Sequence, residues 1–377
     1  MKIIQSSNVR LGAAFSGQDP TKLGKAVSGD KLRVAIKNAF VRLIDLTIAE
    51  KADLLILAGD TFDSPDISQN LLDFFLDQIR RLDKIPAVVL PGARDPYQKS
   101  SFWEEWQILL PAENLYLLTD HEKATIEIPG LSATIYGFPI MADQEHENPA
   151  KKIKRYGKST NHIAVLYGNL IHDGDSKHGD YSFSQKDLTA GGFDYAALGG
   201  QDGLLDLTAV GIKAAYSGSP ETLSSDSTAS GNCLIITLDN DLLAVEPKQV
   251  GSLTWKEVTV SMEEAVDIDG LKSKISELSG PDVILKATLE GLALFDSGFN
   301  VPQLQNEIKG NFLDLEFVDR TKVLPDISEI KVQEKTILGQ YLKVMVERLK
   351  KAEGAQHLEL EESLKTGYTL LTGKEIW

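Results

Sequence analysis

The sequence predicts a mixed α/β fold in which helices cover one sheet and a second sheet packs on the first. The amino-terminal part alternates short apolar runs with longer segments of helical periodicity, a pattern typical of strands and helices in an α/β sheet. The part that follows contains short apolar runs between Gly, Pro and Asp turns, with little helical periodicity. Mixed patterning then returns, which predicts a small α+β domain followed by a helical segment.

Three strands and two helices are predicted in the amino-terminal part. The strands are short and apolar, and a Gly-Asp or Pro-Gly pair follows the second and third of them. Apolar residues at helical spacing predict the two longer segments. The predicted elements are, in order, the strand Lys2–Ser6, the helix Val34–Glu50, the strand Asp53–Ala58, the helix Gln69–Leu82 and the strand Pro86–Leu90.

Short strands dominate the next part of the chain, and we expect all of them in the second sheet. They are Ala124–Ile128, Ser132–Phe138, Ile163–Tyr167, Tyr195–Leu198 and Leu234–Leu238. Each has the length of a buried strand and is bounded by turn residues.

The remaining residues predict a small α+β domain and a helical end. The predicted helices and strands are Leu271–Leu278, Val283–Leu289, Val301–Lys309 and Phe312–Phe317, followed by a linker at Lys322–Val332 and the helices Lys335–Lys351 and Leu358–Leu371. We therefore predict a core domain at residues 1–260, a capping domain at 261–322, and a linker with helices at 323–377.

Composition narrows the classes of function. The chain of 377 residues has a formal net charge of -16, which disfavours non-specific binding to the phosphate backbone of nucleic acid. Cys233 is the only cysteine, so neither an internal disulfide nor a cysteine-rich zinc site can form. No apolar run reaches the roughly 18 residues that a membrane span needs, and the first residues lack a signal-peptide core. We expect a cytoplasmic protein with no membrane contact.

Polar residues follow each strand of the predicted first sheet. Asn8 and Arg10 follow the first strand, Asp60 the second, and Arg94 and Asp95 the third. Loops at the carboxyl ends of such strands hold the ligand sites of α/β sheets. Two later turns have the same character, at residues 166–169 and 197–202.

These motifs, in this order, resemble those of calcineurin-like metallophosphoesterases and, within that superfamily, of SbcD-type DNA repair nucleases. The family's L-x-G-D-x-F-D motif is intact at residues 57–63, and its Y-x-G-S-P-E motif is intact at residues 216–221. Four further motifs keep their positions but change residues, namely I-I-H-T-[AS]-D-x-H-L-G at 3–12, G-N-H-D at 92–95, H-G at 167–168 and G-F-D-Y-x-A-L-G-H-x-H at 192–202. The resemblance covers about residues 1–250.

The resemblance implies a four-layer α-β-β-α sandwich with a small α+β capping domain, and hydrolysis that uses two Mn²⁺ or similar ions. The carboxylate that bridges the ions in the family corresponds to Asp60, which is retained. The degenerate ligand positions are Asn8, Arg10, Ala93, Arg94, Tyr167, Gly200 and Asp202. Asn8 and Asp202 still offer oxygen atoms, so we predict a relic metal site at Asp60, Asn8 and Asp202, and no cofactor.

Arg10 and Arg94 bring fixed positive charge to the predicted site. Guanidinium cannot bind a metal ion, because it stays protonated. We interpret both residues as metal surrogates or phosphate contacts, and expect them to pair with Asp60, Asp95 or Asp202. They could instead be surface arginines, and Asp60 could simply cap a turn. A re-routed loop that carries His162, His172 or His178 is a further alternative for the lost ligand.

The resemblance implies a DNA double-strand-break repair exonuclease, whereas the replaced ligands predict impaired catalysis. The favoured interpretation is a scaffold or regulatory subunit beside an SMC-like ATPase. One alternative is a divergent nuclease or phosphodiesterase with a single metal or an arginine-assisted phosphate site. Another is a module that binds phosphate or a nucleotide.

Two surface features bear on partners. SbcD-type proteins use carboxyl-terminal helices to grip the coiled coil of the ATPase, so the apolar stripe on Lys335–Lys351 either binds such a partner or docks on its own domain. The densest basic cluster either contacts DNA phosphates or is a solvated surface. Its residues are Lys151, Lys152, Lys154, Arg155 and Lys158. The resemblance also implies a homodimer.

Overall fold

The computed structural model describes the chain as two compact units, one of residues 1–256 with 282–284 and one of residues 257–281 with 285–377. The described residues are all except 15–28, 110, 121–124, 143–146, 172–180, 226, 228, 240–241, 263–267, 295–299, 325–335, 350, 353–354 and 372–377. Within this described part, no helix is both long and apolar enough to cross a membrane. The domain boundaries predicted at residues 260 and 322 stay a prediction.

The first unit is built from short strands and four described helices. Its strands are β1 (Lys2–Ser6), β2 (Leu54–Ala58), β3 (Ala87–Leu90), β4 (Leu115–Leu117), β5 (Thr125–Ile128), β6 (Ala133–Gly137), β7 (Asn161–Tyr167), β8 (Asn169–Ile171), β9 (Ser182–Ser184), β10 (Tyr195–Gly199), β11 (Leu205–Asp206), β12 (Ala214–Tyr216), β13 (Asn232–Asp239) and β14 (Leu242–Gln249). Its helices are α1 (Gly29–Ala49), α2 (Gln69–Arg80), α3 (Phe102–Leu109) and α4 (Gln185–Ala190).

Two six-stranded sheets organise this unit. The first has the order β14-β13-β1-β2-β3-β4 and the second the order β11-β12-β10-β7-β6-β5. Strands β1 to β4 are parallel, as are β6, β7, β10 and β12. Because parallel strands end at the same edge, the loops that follow β1, β2 and β3 lie together, as do those that follow β7 and β10.

One face of the first sheet packs against helices. Side chains alternate between the two faces of a strand, so Ile4, Leu55 and Val89 all point to the same side. There they join one apolar cluster with Phe40 of α1 and Phe75 of α2. The helices therefore form an outer layer over this sheet.

The opposite face of the first sheet packs against the second sheet. Ile3, Ile56 and Val88 share a cluster with Ile163 and Val165 of β7. All five side chains are fully buried, so this cluster is the interior between the two sheets. Sheet-on-sheet packing of this kind removes both inner faces from water.

The outer face of the second sheet is covered in turn. Leu166 and Leu198 pack with Leu188 of α4 and with Ala150 of a short 3₁₀ turn. The order of layers is thus helix, sheet, sheet, helix, and the predicted α/β fold class is confirmed.

One predicted strand lies in the other sheet. Leu234–Leu238 was expected in the second sheet, but β13 pairs antiparallel with β1, with Ile236 opposite Ile3. Strand β13 carries a nearly continuous apolar run, which suits a buried strand in either sheet, and its pairing with β1 places it in the first. Strand β14 then forms the edge of the same sheet.

The second unit has a small sheet and four described helices. Its strands are β15 (Thr254–Ser261), β16 (Gly280–Glu290), β17 (Leu292–Leu294), β18 (Phe312–Asp319) and β19 (Lys322–Leu324), although residues 254–256 of β15 and 282–284 of β16 are counted in the first unit. Its helices are α5 (Ile268–Ser276), α6 (Val301–Ile308), α7 (Ile337–Leu349) and α8 (Ala355–Leu371). Strands β15, β16 and β18 form one sheet, and β17 pairs with β19. The start of the predicted linker is therefore a strand, and residues 325–332 of that linker lie outside the described residues.

Helices α7 and α8 pack on each other. Leu342 and Met345 of α7 form an apolar cluster with Leu364 of α8, and all three are buried. The Tyr341 hydroxyl donates a hydrogen bond to the Ser363 carbonyl, with 2.5 Å between the oxygens. Part of the predicted apolar stripe is thus used within this helix pair.

Candidate functional site

The loops after β1 and β2 are held together by backbone hydrogen bonds. The Asn8 amide donates to the Gly59 carbonyl at 3.0 Å, and the Arg10 amide donates to the Asp60 carbonyl at 2.9 Å. Asn8, Arg10 and Asp60 have φ values of 51°, 57° and 51°, in the left-handed region that non-glycine residues rarely adopt. Such conformations cost about 1–3 kcal/mol each and cluster at functional sites. The backbone of a functional site is therefore retained here.

Asp60 is buried and both of its carboxylate oxygens accept hydrogen bonds from the chain. Oδ1 accepts from the Arg94 amide at 2.9 Å, and Oδ2 accepts from the Tyr167 hydroxyl at 2.8 Å. Burial raises the pKa of Asp60, while these two hydrogen bonds and the charges of Arg94 and Arg10 oppose the rise. The carboxyl group is thus desolvated and satisfied from within the protein.

Asp95 lies deeper and shapes the loop. Its Oδ1 accepts from the Gly92 amide at 2.8 Å and its Oδ2 from the Phe62 amide at 2.9 Å. Burial, followed by the nearby charge of Asp60, raises the pKa of Asp95 well above its ordinary value. Asp95 therefore ties the loops after β2 and β3 to each other and does not face a ligand.

Replacing Asp60 by Asn is expected to change how stability depends on pH. A raised carboxyl pKa means that the folded state keeps its proton where the unfolded state has lost it, so the contribution of Asp60 to stability falls as pH rises above its ordinary pKa of 3.8. The Asp60→Asn protein cannot lose that proton. We expect the free energy of unfolding of the natural protein, minus that of the variant, to decrease from about pH 4 to about pH 7 in urea titrations. A difference that stays flat or grows over this range would contradict the burial effect.

Arg10 and Arg94 converge on Asp63. Arg10 Nε lies 2.9 Å from Asp63 Oδ1, and Arg94 Nη1 lies 3.2 Å from the same oxygen. The predicted pairing with Asp60, Asp95 or Asp202 is therefore wrong. Asp95 accepts hydrogen bonds from backbone amides, and Asp60 accepts one from the Arg94 amide and one from the Tyr167 hydroxyl. The partly buried Asp63 is the carboxylate that both guanidinium groups contact.

Asn8 and Asp202 also pair with each other. Asn8 Nδ2 donates to Asp202 Oδ1 at 3.0 Å, and Asn8 Oδ1 accepts from the Gly200 amide at 3.1 Å. The structure thus brings together the two replaced ligand positions that still offer oxygen. Asn8 is buried, whereas Asp202 is exposed.

Tyr167 fills space beside Asp60. A Cβ atom built on Gly59 would lie 2.2 Å from the Tyr167 ring, so only glycine fits there. Burial and the neighbouring charge of Asp60 raise the pKa of Tyr167, which keeps its hydroxyl protonated and able to donate. Ala93, Tyr167 and Gly200 line one cavity of about 350 Å³ together with apolar side chains such as Met141.

The described residues do not support the alternative in which a histidine on a re-routed loop replaces the lost ligand. His162 is buried, and its Nδ1 lies 2.7 Å from the Tyr136 hydroxyl, on the outer side of the second sheet. His172 and His178 lie outside the described residues.

The basic cluster on residues 151–158 is partly paired with acidic residues. Lys151 lies 3.4 Å from Asp187, and Arg155 lies 3.1 Å from Asp194. Lys152 forms an ion pair with Glu147. Contact with DNA through this cluster, including Lys154 and Lys158, stays a prediction.

The donor set does not fit the pair of divalent ions that the resemblance implies. Among the residues that the structure describes, no group of three or more His, Cys, Asp or Glu side chains could hold a metal ion. Asp60, Asn8 and Asp202 remain the oxygen donors nearest to that role, but both carboxylate oxygens of Asp60, Asn8 Oδ1 and Asp202 Oδ1 already accept the hydrogen bonds described above. Two guanidinium groups stand at other ligand positions, and guanidinium donates hydrogen bonds without accepting a metal.

Asp63 and Tyr167 are the residues whose roles sequence reasoning missed. Asp63 belongs to the intact motif at residues 57–63, so its retention was visible in the sequence, but its partners were not. Tyr167 could have been identified as a donor to Asp60 because it replaces an imidazole with another side chain that carries a polar hydrogen. Neither pairing follows from spacing alone.

The comparisons with known proteins agree with the fold. Residues 33–195 match the sequence model of the calcineurin-like phosphoesterase family. The chain is 26% identical over 263 residues to the uncharacterized metallophosphoesterase YhaO of Bacillus subtilis, covering 67% of this chain and 63% of that protein. It is 24% identical over 206 residues to the SbcD subunit of the nuclease SbcCD of Staphylococcus epidermidis, covering 47% of this chain and 53% of that protein. The chain thus spans less than two thirds of the length of these relatives.

A similar solved structure is the crystal structure of TT1561 of Thermus thermophilus. The match covers 66% of this chain and 98% of that one, with 15% identity and a TM-score of 0.40.

The family match corrects one prediction. The expectation of no cofactor is wrong, because metallophosphoesterases of this family normally use divalent metals. The side chains at the ligand positions differ from those in the family's motifs. The chain contains a calcineurin-like metallophosphoesterase domain.

Proposed function

We propose that this metallophosphoesterase domain is catalytically impaired and acts as a non-catalytic subunit in DNA double-strand-break repair. One observation carries the proposal: both carboxylate oxygens of Asp60, the residue that corresponds to the bridging ligand, accept hydrogen bonds from Arg94 and Tyr167 of the same chain. A carboxylate that is buried and satisfied in this way has little tendency to take up another partner.

The charges around Asp60 support the same interpretation. Hydrolysis with two ions depends on a carboxylate bridge and on neutral imidazole or carboxylate ligands around it. Here Arg10 and Arg94 stand at two of those positions, and a unit charge at about 4 Å from a dication in a medium of effective dielectric near 20 costs on the order of 8 kcal/mol. Ion pairing with Asp63 offsets part of this cost only.

The DNA-repair role is supported by similarity alone. One relative is a subunit of the nuclease SbcCD, to which the chain is 24% identical over 206 residues. Proteins of the SbcD type work beside an SMC-like ATPase, and we propose such a partner for this chain. The α7–α8 pair supports the proposal, because it leaves Ile337, Val344 and Leu370 exposed at 79%, 51% and 60%. Homodimer formation stays a prediction.

Purified protein given Mn²⁺ and a phosphodiester or a DNA end is expected to hydrolyse it no faster than its Asp60→Ala variant. Removing a catalytic group from an active enzyme lowers its rate by about 10²–10⁴-fold, whereas here the two rates should agree within about twofold. The assay compares initial rates of the natural protein, Asp60→Ala and the surface variant Asp77→Ala, with an active metallophosphoesterase run in parallel. Turnover that disappears in Asp60→Ala and persists in Asp77→Ala would instead identify a divergent hydrolase.

The partner is tested by co-expression with the SMC-like ATPase of the same host, followed by size-exclusion chromatography. We expect co-elution, and we expect Val344→Glu with Leu370→Glu to abolish it, because the charges would oppose burial of the exposed apolar surface. Leu242→Glu is the matched control, since Leu242 is also exposed but lies on β14. Co-elution that Leu242→Glu disrupts equally, or no co-elution at all, would contradict the partner.

A further inference from the structure

The ion pairs at Asp63 have the arrangement of an occupied anion site. One oxygen, Asp63 Oδ1, lies within 2.9 Å of Arg10 Nε and 3.2 Å of Arg94 Nη1. We propose that Arg10 and Arg94 form a binding site for a phosphate group, and that Asp63 fills this site from within the chain. This proposal goes beyond the proposed function, because it concerns binding and holds whether or not the domain hydrolyses anything.

The two guanidinium charges can bind an anion that carries more charge than the Asp63 carboxylate does. Two fixed guanidinium charges form ion pairs with one carboxylate, that of Asp63, and both also act electrostatically on the neighbouring Asp60. Each guanidinium has five N–H donors, and the contacts to Asp63 use one of them on each arginine. A phosphate monoester presents three terminal oxygens to donors in this fork geometry, whereas both contacts to Asp63 go to one of its two oxygens.

The site is open on one side. The Arg94 side chain is 47% exposed, that of Arg10 is 20% exposed and that of Asp63 is 13% exposed. Asp63 is therefore the least exposed of the three side chains and Arg94 the most exposed. A phosphate group can reach Arg94 first and then compete with Asp63 for Arg10.

Both arginines are fixed at their backbones. The Arg10 amide donates to the Asp60 carbonyl at 2.9 Å, and the Arg94 amide donates to Asp60 Oδ1 at 2.9 Å. Little backbone freedom is lost when a ligand binds such residues, which favours affinity. The same contacts hold the backbones of the two arginines near one another when their side chains no longer contact Asp63.

Asp63→Asn tests the proposal, because it removes the internal charge while keeping an oxygen that can accept from Arg10. We expect titration calorimetry with inorganic phosphate at low salt to give at least about tenfold tighter binding to Asp63→Asn than to the natural protein. Adding Arg94→Gln to Asp63→Asn should remove the gain. Asp66→Asn, an exposed neighbour in the same loop, is the matched control and should bind as the natural protein does.

The source of the phosphate is distinguished by three ligands: inorganic phosphate, a DNA duplex with a 5′-terminal phosphate, and the same duplex without it. A site for phosphate monoesters binds the first two more tightly in Asp63→Asn, and the third equally in both proteins. Equal phosphate affinity of Asp63→Asn and the natural protein would overturn the proposal. If circular dichroism shows that Asp63→Asn does not fold, the Arg94→Gln variant of the natural protein tests the proposal instead. This variant should bind phosphate measurably more weakly than the natural protein does. Unchanged binding would overturn the proposal.

Discussion

A Gly199→Ala substitution is expected to destabilise the first unit by about 4 kcal/mol or more, which is among the largest effects of a single substitution. A Cβ atom at this position would lie 1.6 Å from the carbonyl oxygen of Ala58 and 3.1 Å from Cβ of Ser7. Gly199 ends β10 and Ala58 ends β2, so the two sheets approach each other here, backbone to backbone. Neither strand end can move away freely, because Gly199 is paired with Tyr167 and Ala58 with Leu90.

Urea unfolding followed by circular dichroism measures this effect. Gly130→Ala is the control, because a Cβ atom built on Gly130 meets nothing within 4 Å, and its cost should stay within about 0.5 kcal/mol. If the two alanine variants unfold at the same urea concentration, the close approach of the sheets at Gly199 is not real.

Trp103→Ala is expected to cost about 3–5 kcal/mol and to loosen the loop that carries Arg94. Trp103 is fully buried and packs against Phe62 and Phe102, with ring centroids 5.9 and 4.4 Å away. Its indole Nε1 also donates to the Asp95 carbonyl at 2.7 Å, which links α3 to the loop after β3. Both the cavity and the lost hydrogen bond follow from the one substitution.

Trp103→Phe separates the two effects. It keeps most of the apolar volume but removes the indole donor, so the free energy of unfolding should fall by about 1–2 kcal/mol, clearly less than for Trp103→Ala. Hydrogen exchange at the amides of residues 92–95 reports on the loop, and we expect faster exchange in both variants. Protection unchanged in Trp103→Ala would show that the loop is held without the tryptophan.

Most strands and helices of the fold could be predicted because their signals are local. The strand Lys2–Ser6 has the predicted bounds, and the helix Gln69–Arg80 ends two residues before the predicted end. The sheet that β13 joins could not be predicted, because an apolar run fits either sheet equally well and only the packed structure decides between them. Tertiary context of this kind overrides local propensity.

The candidate site, like the fold, could be predicted only in part. The meeting of Asn8, Asp60 and Arg94 at one sheet edge was predicted from strand order, because parallel strands end together. The partner of the two arginines was not, because the choice among Asp60, Asp63 and Asp95 depends on which carboxylates the backbone amides have already satisfied. The spacing of residues in the sequence does not indicate which carboxylates accept hydrogen bonds from buried amides.

The position of the Asp60 carboxylate in a crystal structure of the protein grown with Mn²⁺ decides whether Asp60 binds metal. We expect Tyr167 Oη to stay about 2.8 Å from Asp60 Oδ2, and Arg10 and Arg94 to stay ion-paired with Asp63. An Asp60 carboxylate turned away from Tyr167 and bridging two manganese ions would contradict this expectation.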